Sequence, residues 1–274
     1  KLPPGNNIEI DLNTQKITIK EYWNLKEVTD EGLSYKEAKE QLHKLLKDAV
    51  KIRLQADVPF GSFLSGGIDS ALISSIAAKI YKEPIKTFSI GFEDPKYDES
   101  KIAAQYAKIM GAEHTETICK PEDILQMLPK LIEVYDEPFG DSSALPSLLL
   151  NKVTKQYVTM ALSGDGGDES FLGYNHFDWV AKFKNLIKVP FGIRIIASKM
   201  LWANALKSKT EPFRRILNIK SKNEFIAGIF VGYNSIVKKR NLDWLSNYSG
   251  YKFWSKDLFQ ATADLNIKLW LEND

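Results

Sequence analysis

A short loop rich in glycine and serine follows the first strand of a predicted sheet. It reads Leu64-Ser65-Gly66-Gly67-Ile68-Asp69-Ser70. Adjacent glycines let the backbone approach a ligand closely, the serines add hydroxyl donors, and the helix that follows presents its positive end. An anion such as pyrophosphate is therefore the expected ligand. The P-loop pattern GxxxxGK[ST] and the dinucleotide pattern GxGxxG are both absent from the chain.

One acid, Asp69, lies inside this loop. A carboxylate beside phosphate oxygens repels them unless a cation lies between. Mg²⁺ resolves the conflict, because it binds through one or two protein carboxylates together with substrate phosphates. For this loop alone, a tight turn with an aspartate as the helix N-cap is the structural alternative, and it stays open.

A second loop of the same character follows the fourth predicted strand. It reads Ser163-Gly164-Asp165-Gly166-Gly167-Asp168-Glu169, with three acids and three glycines in seven residues. Open α/β sheets bind ligands at the carboxyl ends of their strands. Two such loops on one sheet together predict a site for a nucleotide and Mg²⁺.

The elements that would position these loops alternate between strands and helices. Residues 2–25 read as a hairpin, and Ser34-x-x-Glu37 is a capping box that starts a long amphipathic helix. The pattern then predicts strands at 58–64, 85–92, 113–118 and 157–162, and helices at 34–55, 70–81, 99–110, 122–135 and 145–154. Repeated strand–helix–strand units predict an α/β fold, an open parallel sheet with helices on both faces. Beyond residue 178 only helical pattern is found, so the predicted domains are 26–177 and a helical extension, 178–274.

Composition excludes several classes of protein. The chain has 274 residues, 44% apolar and 26% charged, with a formal charge of +2, which is ordinary for a soluble globular protein. Its one cysteine, Cys119, excludes an internal disulfide framework or a CxxC site. No membrane span or signal peptide is predicted. A cytoplasmic location is expected.

Basic residues are concentrated between 181 and 240, where fourteen Lys or Arg accompany two acids. We interpret this stretch mainly as solvated helix faces. A surface for nucleic acid or phosphates is the alternative, since aromatic residues interleave with the charges. Aromatic residues at such spacing more often pack a helical core, so no nucleic-acid partner is expected.

The first loop resembles the pyrophosphate loop of the ATP-pyrophosphatases, which split ATP between the α and β phosphates. Further motifs resemble, in order and spacing, the synthetase domain of the glutamine-hydrolysing asparagine synthetases. These motifs are Thr87–Phe92, Tyr97–Glu99, Asp136–Pro146, and Leu162–Glu169 with Gly173-Tyr174. The resemblance is dense from Pro59 to Tyr174 and thin through the helical remainder.

This resemblance implies roles for the matching residues. Those implied to hold the ATP phosphates are Ser65, Gly66, Gly67, Asp69 and Ser70. Asp69 and Asp168 are implied to bind Mg²⁺. Backbone groups of Leu64 and Ile90 are implied to read adenine, with Ser163 and Gly164 lining the nucleotide. Asp165 lies where the family has an acid needed to form the acyl-adenylate, and Asp141 and Ser142 are a candidate wall for the amino-acid substrate.

The implied reaction joins ammonia to the side-chain carboxylate of aspartate. ATP first converts that carboxylate into β-aspartyl-AMP with release of pyrophosphate, and ammonia then displaces AMP to give asparagine. Ammonia would come from glutamine through a glutaminase domain. The oligomeric state is left open, with a homodimer among the alternatives.

Two departures from the family pattern limit this interpretation. Residues 1–25 resemble the tail of a glutaminase domain that is otherwise missing, and the chain stops before the family's Lys-Val-Asp-Arg segment. We therefore expect a synthetase domain truncated at both ends that binds Mg-ATP and turns over poorly.

Other functions share the same nucleotide loops. A β-lactam-forming synthetase or a surface-polysaccharide amidotransferase would adenylate a different carboxylate. An RNA-modifying ATP-pyrophosphatase would use the basic stretch, and a non-catalytic nucleotide-binding scaffold would need neither Asp69 nor Asp168.

Overall fold

A four-stranded parallel sheet lies at the centre of the region that carries both loops. The computed structural model describes residues 2–25, 32–135, 141–202, 216–222, 224–226 and 257–268. Contacts divide the chain into a sheet unit, Asp30–Asp165, and a helical unit made of Lys1–Thr29 and Gly166–Asp274. The domain bounds drawn from the sequence stay a prediction.

The sheet unit alternates strands and helices as predicted. Its elements are α1 (Tyr35–Arg53), β3 (Phe60–Phe63), α2 (Ile68–Ile80), β4 (Lys86–Phe92), α3 (Ser100–Met110), β5 (Glu113–Cys119), α4 (Pro121–Tyr135), α5 (Ala144–Thr154) and β6 (Met160–Leu162). The sheet order is β5-β4-β3-β6, and every neighbouring pair is parallel. The predicted open parallel sheet is confirmed.

The helical unit begins with the predicted hairpin. Strands β1 (Asn6–Ile10) and β2 (Ile17–Glu21) pair antiparallel. Its described helices are α6 (Gly167–Phe171), α7 (His176–Phe183), a 3₁₀ turn (Leu186–Lys188), α8 (Phe191–Trp202) and α9 (Leu258–Asn266). Phe183, Phe225 and Leu265 are among the residues of its buried core.

Local chemistry sets the element bounds. Ser34 and Glu37 form the predicted capping box, so α1 begins at Tyr35. Helix α2 begins two residues earlier than predicted, because Gly67 is its N-cap. Strand β6 is shorter than predicted at its start, because the N–H groups of Tyr157 and Val158 bond back to the Thr154 carbonyl and close the last turn of α5.

Helices cover both faces of the sheet. On one face the Ser62 hydroxyl bonds to the Ser74 hydroxyl of α2 at 2.8 Å. Phe88 lies on the opposite face, because side chains alternate along β4 and its neighbour Thr87 is in register with Ser62. The Phe88 ring lies 5.7 Å from that of Tyr157, which follows α5. Both faces of the central strands are therefore covered.

The strand order places the two loops side by side. From β3 the chain moves outward to β4 and β5, then returns to β6 on the other side of β3. The direction in which successive strands are added to the sheet therefore reverses, and the reversal lies between β3 and β6. Ligands of open α/β sheets bind at such a switch point, outside the carboxyl ends of the strands.

Candidate nucleotide site at the carboxyl edge of the sheet

The loop after β3 is held together by its own serines. The Ser65 N–H donates to Ser70 Oγ at 3.1 Å, and the two hydroxyl oxygens lie 2.9 Å apart. The Gly67 N–H donates to Ser65 Oγ at 3.0 Å. This bonding turns the chain sharply from β3 into α2 and leaves the first turn of α2 without a side-chain cap. The positive end of α2 therefore opens onto the carboxyl edge of the sheet.

An internal carboxylate already binds to this loop. The Gly66 N–H donates to Oε2 of Glu99 at 3.1 Å. Glu99 is the N-cap residue of α3, the helix that follows β4. A carboxylate oxygen is a chemical stand-in for a phosphate oxygen, since both are anionic acceptors. The loop therefore presents at least one backbone donor to an anion.

The loop after β6 lies directly against the first turn of α2. A Cβ atom added to Gly164 would lie 2.6 Å from the Ser70 nitrogen and 3.0 Å from the Asp69 carbonyl carbon. Only glycine permits this approach, because real Cβ atoms do not come so near to backbone. The structure thus brings Ser163, Gly164 and the exposed Asp165 beside the first loop.

Backbone groups of Leu64 and Ile90 lie at the same edge. The Leu64 N–H donates to the Phe88 carbonyl at 2.8 Å, which extends the pairing of β3 with β4 by one residue. Along a strand, the backbone N–H and C=O groups of successive residues point to alternate neighbouring strands. The backbone groups of Ile90 therefore point toward β3, as those of Phe88 do. Ile90 is two residues beyond the last β3–β4 pair, Phe63 with Phe88. Its backbone groups therefore face the space beside Ser65.

The acids of the sheet unit are suited to a hard cation. The Asp69 carboxylate is half-buried in the first turn of α2, and Asp165 follows Gly164. Both offer only oxygen, the ligand that Mg²⁺ prefers. Within the described residues, no three His, Cys, Asp or Glu side chains converge into a metal centre. The donor set therefore fits a cation that takes one or two carboxylates and completes its shell with phosphates and water.

A second acidic cluster lies in the helical unit. Glu169 of α6 is only 3% exposed, and the Tyr174 hydroxyl donates to its Oε1 atom. The His176 ring stacks on Tyr174 with centroids 5.1 Å apart, and Asn266 Nδ2 lies 2.9 Å from His176 Nε2. Burial lowers the pKa of His176 below its ordinary 6.5, although the Glu169 charge opposes the shift. A neutral imidazole then accepts from Asn266 in a buried polar network.

Asp168 is positioned by the turn that follows α6. The Gly173 N–H donates to the Asp168 carbonyl at 3.0 Å. A Cβ atom on Gly173 would lie 1.8 Å from Asp168 Oδ1, so the carboxylate occupies the space that this glycine leaves. Asp168 therefore has a defined orientation within the helical unit.

The candidate substrate wall is described only in part. Residues 136–140 of the predicted loop lie outside the described residues. The Asp141 carboxylate accepts from the N–H and the hydroxyl of Ser143 at 2.9 and 2.7 Å. Ser142 is exposed. Asp141 thus builds the turn before α5, and its substrate role stays a prediction.

The described part of the basic stretch packs as a helical core. The Arg194 guanidinium is 4% exposed and donates to the carbonyls of Val189 and Ile219 at 2.9 and 2.7 Å. Phe183 is buried, and the ring of Trp179, which is 44% exposed on the same helix, lies tilted beside it with centroids 5.3 Å apart. The exposed Lys182, Lys188 and Lys199 agree with the interpretation of the stretch as solvated helix faces, whereas the buried Arg194 does not.

Three contacts carry information that sequence reasoning did not extract. The first two are the bonds of Glu99 with Gly66 and of Tyr174 with Glu169. Glu99 and Tyr174 lie in motifs that resemble the family, but residue type alone does not indicate what either side chain binds. The remaining contact concerns His114, whose Nδ1 and Nε2 atoms lie 2.9 and 3.1 Å from the hydroxyls of Thr87 and Ser89. Burial lowers the pKa of His114, with Glu116 opposing. The alternating hydroxyls of β4 were the available signal for this structural role.

The described helices are all too short or too polar to cross a bilayer. The family model "Asparagine synthase" matches residues 41–271. Asparagine synthetase [glutamine-hydrolyzing] 1 of Bacillus subtilis is 38% identical over 288 residues, which cover 100% of this chain and 44% of that protein. Putative asparagine synthetase [glutamine-hydrolyzing] 2 of Methanocaldococcus jannaschii is 38% identical over 73% of this chain and 39% of its own length. The chain thus spans less than half the length of these curated relatives.

Among solved structures, NMN synthetase from Francisella tularensis aligns with a TM-score of 0.36. The alignment is 23% identical and covers 52% of this chain and 59% of that one. The fold class stated above depends on the strand order of the chain itself.

Proposed function

The chain belongs to the asparagine synthase family, and from that membership we propose that it is an ATP-dependent synthetase that forms the side-chain amide of asparagine. The observation that carries the proposal is the contact between the two loops. Gly164 presses against the first turn of α2, and the Gly66 N–H already bonds to an internal anion. A donor-rich cradle beside an acidic loop suits a nucleotide whose α-phosphate is attacked by a carboxylate.

In the proposed reaction the side-chain carboxylate of aspartate attacks the α-phosphorus of ATP. The bond between that phosphorus and the bridging oxygen breaks, so pyrophosphate leaves and β-aspartyl-AMP forms. Ammonia then attacks the acyl carbon, AMP leaves with the oxygen that came from aspartate, and a proton is lost to solvent. Positioning and neutralisation of charge are the main contributions that a protein makes to phosphoryl chemistry.

The proposed roles are those that the resemblance to the family implies for the matching residues. The Ser65 and Ser70 hydroxyls and the N–H groups of Gly66 and the first turn of α2 bind the phosphates, and Gly67 lets them approach the backbone closely. Backbone groups of Leu64 and Ile90 bind adenine, and Ser163 and Gly164 line the nucleotide. Asp165 orients the groups that react at the α-phosphorus, and Asp141 and Ser142 contact the amino-acid substrate.

Mg²⁺ is the proposed metal, with Asp69 and Asp168 as its protein ligands. When bound, Mg²⁺ neutralises phosphate charge and polarises the bond to the leaving pyrophosphate. The chemistry of Asp69 supports this, since its carboxylate is a lone hard ligand within a loop of anion donors. Aspartate and ammonia are the proposed substrates, and a glutaminase domain that supplies ammonia is the proposed partner. The expected location is the cytoplasm.

Calorimetric titration with a non-hydrolysable ATP analogue tests the site. We expect binding that requires Mg²⁺ and that weakens at least about tenfold in Asp69→Asn, because the metal loses a charged ligand. Asp57→Asn is the matched control, since this exposed aspartate precedes β3 at the opposite edge of the sheet. Pyrophosphate release with free ammonium then tests the acceptor, which is aspartate if the proposal holds. Release with another carboxylic acid alone would favour a related synthetase.

A further inference from the structure

Glu99 bonds to the phosphate-binding loop of the sheet unit, although no role has been assigned to it. Its Oε2 atom accepts from the Gly66 N–H at 3.1 Å. A Cβ atom on Gly66 would lie 3.0 Å from the Glu99 Cβ and 3.3 Å from the Ile102 Cβ, so the first turn of α3 is seated on this glycine. The contact therefore joins the loop after β3 to the helix after β4.

The backbone of Glu99 is fixed from both sides. The adjacent Asp98 carboxylate accepts from Phe92 N–H at the end of β4 and from Ser100 N–H at the start of α3, at 3.4 and 3.1 Å. The Glu99 carbonyl accepts from the N–H groups of Ile102 and Ala103. The Glu99 side chain is nonetheless exposed and makes no capping bond to its own helix. It can therefore rotate away without any change in the backbone.

The Gly66 N–H differs from the other backbone donors of the loop in the kind of group that accepts its bond. The N–H groups of Ser65 and Gly67 are bonded to the hydroxyls of Ser70 and Ser65. These hydroxyls also bond to each other at 2.9 Å, and Ser70 Oγ donates to the Gly67 carbonyl at 3.3 Å. A hydroxyl can nevertheless rotate its proton toward a phosphate while it still accepts the backbone bond. The Glu99 carboxylate is an acceptor with the same sign of charge as a phosphate, so the two compete for one donor. A phosphate oxygen can take the Gly66 N–H only after Glu99 leaves.

We propose that Glu99 is a gating residue that competes with phosphate for the Gly66 N–H of this loop. This inference depends on the proposed function, because it assigns a regulator to the same nucleotide site. The Glu99 side chain occupies the donor in the unliganded protein, swings out when the phosphates bind, and returns as pyrophosphate leaves. Its consequence is weaker binding and faster loss of the pyrophosphate product.

The test is calorimetric titration with inorganic pyrophosphate and Mg²⁺ on the full chain. We expect pyrophosphate to bind about threefold more tightly to Glu99→Gln and about tenfold more tightly to Glu99→Ala, because the fraction of protein with a free Gly66 donor rises. Glu113→Gln is the control, since it removes the same charge from an exposed residue at the amino end of β5. It should bind as the wild-type chain does.

The outcomes distinguish a failure of the proposed Glu99 gate from a failure of the proposed nucleotide site. Equal binding by wild type and both Glu99 variants would refute the gate and leave the nucleotide site standing. Weaker binding by the variants would refute it too, because Glu99 would then shape the loop or bind metal beside the phosphate. Binding by none of the four proteins would overturn both the site and the gate. The ¹⁵N–¹H resonance of Gly66 adds a second readout, since Glu99→Ala should shift it before any ligand is added.

Discussion

The loop after β3 and the turn around α6 have similar compositions but different structures. In the first, serine hydroxyls and backbone N–H groups build a cradle around an exposed helix end. In the second, Glu169 is buried beneath Tyr174, and Asp168 fills the space left by Gly173. Glycine next to serine thus exposes donors, whereas glycine next to acids gives carboxylates room to pack. A glycine-rich pattern alone does not distinguish these two outcomes.

The largest expected effect is at the contact that joins the loops of the sheet unit. Gly164→Val places atoms where Ser70 and Asp69 backbone lies, so the two loops must separate. We expect the affinity for an ATP analogue to fall by about 10²-fold, as displacements near 1 Å do in other sites. Calorimetry measures it. Gly192→Ala is the control, because no described residue outside its own stretch of helix comes within 4 Å of its added Cβ. Unchanged affinity in Gly164→Val would refute the contact.

The α6 region should respond differently to the same kind of change. Gly173→Ala displaces the Asp168 carboxylate rather than any backbone group of the sheet unit. We expect pyrophosphate release to slow by about tenfold, because a proposed metal ligand is turned away. Affinity for the ATP analogue in the presence of Mg²⁺ should fall by no more than about tenfold. A loss equal to that of Gly164→Val would contradict the distinction between the regions.

The next largest effect should be on the free energy of unfolding, which we expect to depend on the buried bond of the α6 region. Tyr174→Phe leaves the buried Glu169 carboxylate without the Tyr174 hydroxyl, which should lower the free energy of unfolding by about 1–3 kcal/mol. Urea denaturation measures the change. Tyr157→Phe is the control, since that tyrosine is 47% exposed and keeps its ring contact with Phe88. Equal losses in both variants would show that the Tyr174 bond contributes nothing specific.

The smallest expected effect is a dependence of stability on pH, to which His114 of the sheet unit and His176 of the helical unit contribute. Burial lowers the pKa of His114 and of His176, so the unfolded chain binds protons more readily below pH 6.5. Stability should therefore fall as the pH drops from 6.5 toward each folded pKa, and level off below it. Each histidine should contribute less than about 1 kcal/mol, since both are partly solvated.

Urea denaturation at pH 7.5 and about 5.5, in the wild type and in His114→Gln and His176→Gln, measures the two contributions. Each variant should lose part of the pH dependence. A pH dependence that is undiminished in both variants would assign the effect to other groups.

The sequence predicted the sheet well and the bonding within the site poorly. Alternating strand and helix patterns located every element of the sheet unit, because each depends on residues near in sequence. The two loops could be predicted for the same reason, because their glycine, serine and acidic residues are adjacent in sequence. The Glu99–Gly66 bond spans 33 positions and the His176–Asn266 contact spans 90. Such partners depend on the order of strands and the packing of helices, which local patterns do not encode.

The most direct test of the account follows oxygen from aspartate. The chain is incubated with aspartate labelled with ¹⁸O in its side-chain carboxylate, together with ATP, Mg²⁺ and ammonium. The proposed adenylation predicts that AMP gains one ¹⁸O atom and that pyrophosphate stays unlabelled, at a rate that falls in Asp69→Asn. Labelled inorganic phosphate released with ADP would show attack at the γ-phosphorus instead and contradict the central claim.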